Sequence, residues 1–298
     1  MRPPIVRRQI KSLTALLAAV VAALLVLGLT ACGKKDSGDS EGPMTAKLES
    51  AKVINTDVAQ GPNRLVISLR DSEGKLVSDP NLKTKVRVFP AGSDKVASEA
   101  ASEFVWIHEG DRGLYTAHVD IPEAGQWEVE VAPVSDPGVA LRALVKASSR
   151  SSTPPIGSDA PKTQTKTSAS SGGDLRAIST DDKPDPDLYK MSIADAVASG
   201  RPTVIAFSTP ARCSSNMCGP VVDVIKAAKR SHPEANFIHV EIYDEPQNLN
   251  NDAVVPAVKE WGLPTEPWVF VVDASGKVTH KFESIISQHE IDQALAKR

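Results

Sequence analysis

The chain has 298 residues, with 34 basic and 37 acidic side chains and a formal net charge of −3. This length is enough for two domains, each with its own hydrophobic core. A mildly acidic chain lacks the basic surface that recognises nucleic-acid phosphates, so the charge argues against a nucleic-acid partner. The three cysteines are few enough to be considered one by one.

The first 31 residues have the charge pattern of an export signal. Arg2, Arg7, Arg8 and Lys11 form a basic region without an acid, and residues 13–31 are almost entirely apolar. This order of charge and apolar residues is typical of a secretory signal, although a short membrane span has a similar length. Either interpretation tethers the protein outside the cytoplasm.

The apolar stretch ends in Leu29-Thr30-Ala31-Cys32. This ending resembles the lipobox of bacterial lipoproteins, in which the cysteine is lipidated and becomes the new N-terminus. The resemblance implies a signal peptide over residues 1–31 and a lipid anchor on Cys32. Residues 32–43 are small and charged, so we expect a flexible tether. The protein is thus expected on the extracytoplasmic side of a cell membrane.

Residues 44–148 are predicted to form an all-β domain. Four stretches alternate apolar and polar residues as half-buried strands do, namely 64–70, 85–89, 115–119 and 126–131. Turn sequences separate these stretches, which favours a two-sheet sandwich. The segments 113–117 and 124–129 are similar to immunoglobulin-like modules of bacterial surface proteins. That resemblance implies an immunoglobulin-like fold and no activity.

The composition changes again over residues 149–174, where Ser, Thr, Pro, Gly and Lys predominate. A segment of this composition cannot bury enough apolar surface to fold alone. We therefore predict a linker between two domains.

Residues 175–298 are predicted to contain both strands and helices. Apolar runs at 202–207, 236–242, 268–273 and 278–282 indicate strands, the last two forming a hairpin. Amphipathic segments at 192–197, 221–232, 253–261 and 291–297 indicate helices. The resulting order is that of an α/β layer fold. It places Cys213 and Cys218 between the first of these strands and the helix that follows.

This order, with a cysteine pair at that junction, resembles the thioredoxin fold. The segments 240–246, 261–268 and 273–278 are similar to the family's central strand exit, cis-proline segment and hairpin turn. The resemblance implies an α/β thioredoxin-like domain over residues 175–298. It further implies that Pro267 is a cis-proline facing the cysteines, with Glu266 before it at the substrate-facing position.

The spacing of the cysteines departs from the family, which has C-x2-C where this chain has C-x4-C. Five positions along a helix rise about 7.5 Å and turn about 140°, whereas a disulfide needs Cα atoms within roughly 7 Å. Cys213 must therefore precede the helix if the pair bonds. Cys218 then lies near the helix N-terminus, where a thiol pKa is lowered. Which cysteine attacks a substrate stays open at this point.

Two neighbouring features affect the chemistry of this pair. Arg212 would add a positive charge beside Cys213 if its side chain turned inward, and the strand 204–207 offers no carboxylate as a proton acceptor. The replacement of the family's tryptophan by Arg212 adds to this departure. These features argue against a fast general reductase.

Three functions compete. The first, which we favour, is thiol–disulfide exchange with envelope protein thiols through Cys213 and Cys218, with Pro267 at the site and without a cofactor or resident metal. The second is a non-catalytic binding or scaffold lipoprotein with a structural disulfide. The third resembles Sco-type copper proteins, with Cys213, Met217 and Cys218 supplying sulfur to Cu(I).

Overall fold

The structure is a computed structural model that describes residues 48–296. The predicted signal peptide, Cys32 and the tether lie outside the described residues, so these predictions stay untested. Within residues 48–296, no helix is long and apolar enough to cross a membrane.

Residues 48–147 form eight strands in two antiparallel sheets. The strands are β1 (Leu48–Val53), β2 (Gly61–Asp71), β3 (Thr84–Pro90), β4 (Ser98–Ala101), β5 (Glu103–His108), β6 (Arg112–Ile121), β7 (Gly125–Pro133) and β8 (Leu141–Ala147). One sheet has the order β1-β2-β6-β5 and the other β4-β3-β7-β8. Leu65 and Tyr115 of the first sheet share one buried core with Val88 and Val129 of the second. This arrangement fits the predicted immunoglobulin-like sandwich.

The third sheet is mixed and carries the cysteine pair at one end. Its strands are β9 (Thr203–Ser208), β10 (Asn236–Glu241), β11 (Trp268–Val272) and β12 (Val278–Glu283), in the order β10-β9-β11-β12. Only β9 and β10 run parallel, and the two remaining pairs are antiparallel. Strands β9, β10 and β11 are buried throughout, which explains their continuous apolar sequence.

Four helices accompany this sheet, namely α1 (Ile193–Ala198), α2 (Cys218–Ser231), α3 (Pro256–Glu260) and α4 (Gln288–Ala296). Helix α1 begins with a capping box between Ser192 and Asp195, which satisfies two otherwise unpaired N–H groups. Helix α2 buries an apolar face that includes Val222 and Ile225 and ends with Lys229 and Arg230, whose charges suit a helix C-terminus.

The predicted fold class, an α/β thioredoxin-like domain beside a sandwich, is wrong for the chain. Strands dominate, because the described residues form three four-stranded sheets and the helices between them are few. Two of those helices have only six and five residues. An α/β fold places helices on a largely parallel sheet, whereas one of the three strand pairs here is parallel. A mostly β class describes the chain better.

The segment 149–174, predicted as a linker, contacts both neighbouring parts of the chain. Ser151 and Thr153 donate hydrogen bonds to Asp57 of the sandwich. The Thr163 hydroxyl donates to Glu260 at 2.5 Å and accepts from the Trp261 indole at 3.2 Å. These contacts explain how a polar segment stays ordered against folded neighbours. The predicted domain boundaries stay a prediction.

The sandwich packs against the third sheet through a buried ion pair and an apolar cluster. Arg64 on β2 donates two hydrogen bonds to Glu290 on α4, at 2.6 and 3.1 Å, with both side chains 5% exposed. Val66 and Leu114 on the outer face of the first sheet pack with Ile285 and Met217. Because Met217 immediately precedes α2, the sandwich lies beside the cysteine loop.

Candidate thiol site

The structure places the two cysteines on different elements. Cys218 is the first residue of α2, and Cys213 lies in the loop between β9 and α2. Asn216 in that loop has a φ of 58°, a left-handed conformation that Asn tolerates better than most residues. Its N–H donates to the Cys213 carbonyl at 3.3 Å, which closes the turn. The loop thereby brings two residues five positions apart to one site.

Cys213 has the properties of a thiolate. Its sulfur contacts the Ser215 hydroxyl at 3.1 Å, and its side chain keeps 9% exposure. A hydrogen bond from the Cys218 thiol is the main cause that lowers the pKa of Cys213 to about 5, with Ser215 and the backbone N–H groups of Cys218 and Met217 adding to it. These N–H groups belong to the N-terminus of α2, where unpaired donors favour an anion.

Cys218 has the opposite properties. Its side chain is fully buried. The pKa of the Cys218 thiol is raised, first because the thiol donates its hydrogen to Cys213 and second because burial disfavours the charged form. The site therefore pairs Cys213, which is largely buried but lines a groove and has a lowered pKa, with Cys218, which is fully buried and has a raised pKa. Both cysteines are free thiols in this structure.

Glu266 completes the site from the other side. One oxygen of its carboxylate lies within 4.8 Å of both sulfur atoms. Burial, the Cys213 charge and the Glu241 charge raise the pKa of Glu266 to about 7, although Arg212 opposes the shift. Its Oε2 atom is buried and has no hydrogen-bond partner among the described residues. A carboxyl group with this pKa can exchange a proton near neutral pH.

Pro267 follows Glu266 through a cis peptide bond. The carbonyl of Pro267 accepts a hydrogen bond from the Ser284 N–H at 2.9 Å, which ties the segment to the end of β12. The carboxylate of the preceding residue, Glu266, is the group that lies near both sulfur atoms. The predicted role of Pro267 at the site stays a prediction.

Arg212 does not turn towards the cysteines. Its guanidinium donates to the Asp252 carboxylate at 2.6 Å and to the Asn251 carbonyl at 3.1 Å. It also lies 3.6 Å from the centre of the Tyr243 ring, a favourable cation–π arrangement. The pKa of Cys213 is therefore lowered by hydrogen-bond donors, first the Cys218 thiol and then Ser215 and the N–H groups at the start of α2.

The Cu(I) alternative needs the sulfur of Met217 beside those of the two cysteines. The Met217 side chain packs in the apolar cluster with Val66 and Ile285. Among His, Cys, Asp and Glu side chains, those of Cys213, Cys218 and Glu266 bring two sulfurs and a carboxylate oxygen within 4.8 Å of one another. Met217 also lines the groove at Cys213.

A buried polar network beneath Cys218 escaped the sequence analysis. His239 on β10 contacts the Tyr189 hydroxyl at 2.7 Å and the Ser208 carbonyl at 3.1 Å, and burial lowers the pKa of His239. The Ser208 hydroxyl donates to the Cys218 carbonyl at 3.4 Å. Two residues further along β10, Glu241 is buried and accepts two hydrogen bonds from Thr180. The available signal was polar side chains inside a strand that is otherwise apolar.

A groove of about 420 Å³ opens at Cys213. One side consists of the cysteine loop, with Ser214, Ser215 and Met217. Another side consists of Thr265, Glu266, Glu283 and Ser284, and the sandwich contributes Ile54 and Thr56. The groove gives a ligand access to Cys213 while Cys218 stays covered.

Comparison with known proteins adds little to this description. No protein-family model and no curated protein sequence matches the chain. Among solved structures the chain is similar to FdeC, a broadly conserved Escherichia coli adhesin, with 20% identity and a TM-score of 0.24. The similarity covers 40% of this chain and 38% of FdeC, so the chain spans well under half of that protein. The assignment of the sandwich rests on the topology of its two sheets.

Proposed function

We propose that this protein carries out thiol–disulfide exchange through Cys213 and Cys218, outside the cytoplasm and with protein partners. The observation that carries the proposal is the placement of two adjacent thiols in different environments. Cys213 lies in the loop before α2, lines an open groove and contacts the Ser215 hydroxyl, whereas Cys218 is fully buried at the first position of α2. The hydrogen bond from the Cys218 thiol lowers the pKa of Cys213. Reactive cysteines have this environment, whereas structural buried cysteines are protonated and inert.

In the first step the Cys213 thiolate attacks a sulfur of the partner disulfide. A mixed disulfide between Cys213 and the partner forms, and the other partner sulfur leaves as a thiolate. The low pKa of Cys213 keeps it ionised at neutral pH, and its position in the lining of the groove gives the partner access.

In the second step Cys218 releases the partner. Its S–H proton passes to the Glu266 carboxylate, and the resulting thiolate attacks the Cys213 sulfur. The Cys213–Cys218 disulfide forms and the partner leaves as a second thiolate, so the partner disulfide is reduced while the pair is oxidised. The two steps run in reverse when the partner is a dithiol that is more reducing than the Cys213–Cys218 pair.

Membrane anchoring through Cys32 is part of the proposal. It is supported by the basic region, the apolar stretch and the Leu29–Cys32 ending. Incorporation of labelled fatty acid into the wild-type protein and its loss in Cys32→Ser would support the anchor. Equal labelling of both proteins would contradict it.

Trapping tests the exchange reaction. Cys218→Ser should accumulate mixed disulfides with envelope proteins, because Cys213 attacks and nothing releases the partner, whereas Cys213→Ser should accumulate none.

The reduction potential of the pair provides a second measurement. A potential below roughly −300 mV would indicate a structural bridge and overturn the proposal in favour of a scaffold.

A further inference from the structure

The groove at Cys213 is built from two parts of the chain that lie far apart in sequence. Ile54 and Thr56 of the sandwich face the cysteine loop across a volume of about 420 Å³. Sites that hold small ligands have volumes of about 300–1,000 Å³. A groove of this size accommodates a few side chains of a partner, but a folded surface cannot enter it.

Hydrogen bonds hold the sandwich wall in place. The Thr56 N–H and hydroxyl both donate to Glu283 Oε1, at 2.8 and 2.6 Å, and the Asn55 amide donates to Glu283 Oε2 at 3.2 Å. The hydroxyls of Thr56 and Thr265 are 3.1 Å apart. The wall therefore cannot move away to admit a larger partner without breaking several hydrogen bonds.

The buried ion pair between Arg64 and Glu290 reinforces the same contact. The ion pair joins β2 to helix α4. Strand β2 in turn holds Ile54, because the carbonyl of Val66 accepts a hydrogen bond from the Ile54 N–H at 2.9 Å. The sandwich thus has a fixed position beside the site and is part of its geometry.

The groove is acidic. Among the described residues that line it, two are acidic, the half-buried Glu266 and the buried Glu283, whose carboxylate accepts from Asn55 and Thr56, and none is basic. The nearby Arg212 is already bound to Asp252. Negative charge in a cleft raises the local concentration of cationic ligands and repels anionic ones.

We propose that this groove, with the sandwich residues Ile54 and Thr56 as one wall, selects flexible polypeptide segments whose disulfide is flanked by basic residues. The inference rests on the proposed exchange reaction and names its substrate class. The sandwich then acts as a specificity element at the thiol site. Folded partners with a recessed disulfide and acidic disulfide compounds are poor substrates.

Two matched peptides test the charge preference. They have the same length and one disulfide, flanked by lysines in one peptide and by glutamates in the other, and uncharged dithiodipyridine serves as the reference. We expect the reduced protein at pH 8 and low salt to react at least about ten-fold faster with the lysine peptide. At 1 M salt, where the Debye length falls to about 3 Å, the difference should largely disappear.

Variants locate the preference in the groove. Ser214 is exposed at the groove edge, so Ser214→Lys should reduce the lysine-to-glutamate rate ratio several-fold, and Ser214→Gln should keep it. Gln126→Lys adds the same charge on the sandwich outside the groove and should leave the ratio unchanged. Ile54→Ala should raise KM for the lysine peptide and leave the rate of reaction with dithiodipyridine unchanged.

The outcomes separate the two proposals. Reaction with dithiodipyridine but equal rates for both peptides would overturn the substrate assignment and leave the exchange reaction intact. An unchanged KM in Ile54→Ala would remove the sandwich from the site. A protein inert towards all three disulfides would overturn the exchange reaction itself.

Discussion

One carboxylate oxygen of Glu266 lies within 4.8 Å of the Cys218 sulfur, and its Oε2 atom has no hydrogen-bond partner in the described part of the chain. A buried carboxyl beside a buried thiol of raised pKa supplies what that thiol needs, a nearby proton acceptor. Glu266 must be ionised to accept the proton, and its pKa of about 7 allows this at neutral and mildly basic pH.

Glu266→Gln should slow the release of the partner and spare the first attack. The amide keeps the shape of the side chain but cannot accept the proton of Cys218, and positioned proton transfer contributes about 10²-fold or more. Stopped-flow measurement should show accumulation of the mixed disulfide in the variant. The wild-type release rate should rise with pH as Glu266 ionises in the mixed disulfide, where Cys213 is uncharged, and this rise should be absent from Glu266→Gln.

The control for this variant is Glu123→Gln, which changes an exposed acid of the sandwich. It should behave as wild type. Equal release rates and pH profiles for wild type and Glu266→Gln would contradict the proton-acceptor role.

Cys213 should be alkylated as a thiolate down to mildly acidic pH. Its pKa of about 5 means that the thiolate predominates above that pH and is lost as the pH falls through it. The alkylation rate of Cys213 in Cys218→Ser should therefore keep a pH midpoint well below that of an ordinary thiol, but above the wild-type midpoint, because the Cys218 hydrogen bond is changed. Mass spectrometry of iodoacetamide-treated protein measures both midpoints.

Ser215→Ala should raise the pH midpoint of Cys213 alkylation above that of the wild-type protein, because the Ser215 hydroxyl also stabilises the thiolate. Ser214→Ala is the matched control in the same loop and should leave it unchanged. A wild-type midpoint near that of a free cysteine would show that the helix start does not activate Cys213.

Arg64→Met should destabilise the protein, since it leaves the buried Glu290 carboxylate without its partner. Breaking a buried pair from one side costs about 3–5 kcal/mol of unfolding free energy. The double variant with Glu290→Leu removes both charges and should recover most of that loss. Urea denaturation measures the free energies of unfolding of Arg64→Met, Glu290→Leu and the double variant. A loss in the double variant equal to the sum of the two single losses would contradict a direct interaction between Arg64 and Glu290.

The same pair gives stability a defined pH dependence. Burial acts to raise the pKa of Glu290, but Arg64 and Ser287 outweigh it, so the pKa lies below the usual 4.5. A lowered pKa in the folded state stabilises the protein above the unfolded-state pKa and loses this effect as the pH falls. The stability difference between wild type and Arg64→Met should therefore shrink as the pH falls below about 4.5.

Gly262→Ala should destabilise the protein through the segment that follows the sandwich. Gly262 has a φ of 60°, and a Cβ atom there would overlap the Ser152 carbonyl oxygen. Both effects act together, so we expect a loss above the roughly 1 kcal/mol of an ordinary strained substitution. Gly74→Ala also has a positive φ but an open environment, and its smaller loss in thermal denaturation isolates the clash. Equal losses would show that Ser152 moves freely.

The sequence by itself determined the local features of this protein. Alternation of apolar residues located β2, β3, β6 and β7, and the capping box at Ser192 located α1. The C-x4-C spacing required Cys213 to precede the helix if the pair is to form a disulfide, with Cys218 near the helix N-terminus. These features depend on neighbours within a few residues, which a linear pattern records.

The tertiary structure alone decided the fold class and the environment of the thiols. The helix predicted over 253–261 spans only Pro256–Glu260 in the structure. Two of the three strand pairs in the third sheet are antiparallel, and the sequence of a single strand does not encode the direction of its neighbours. Which thiol is ionised depends on burial and hydrogen bonds around Cys213 and Cys218. The sandwich wall arises because the Thr56 N–H donates to Glu283, 227 positions away. A contact at that separation forms only when distant parts of the chain pack together in the folded protein.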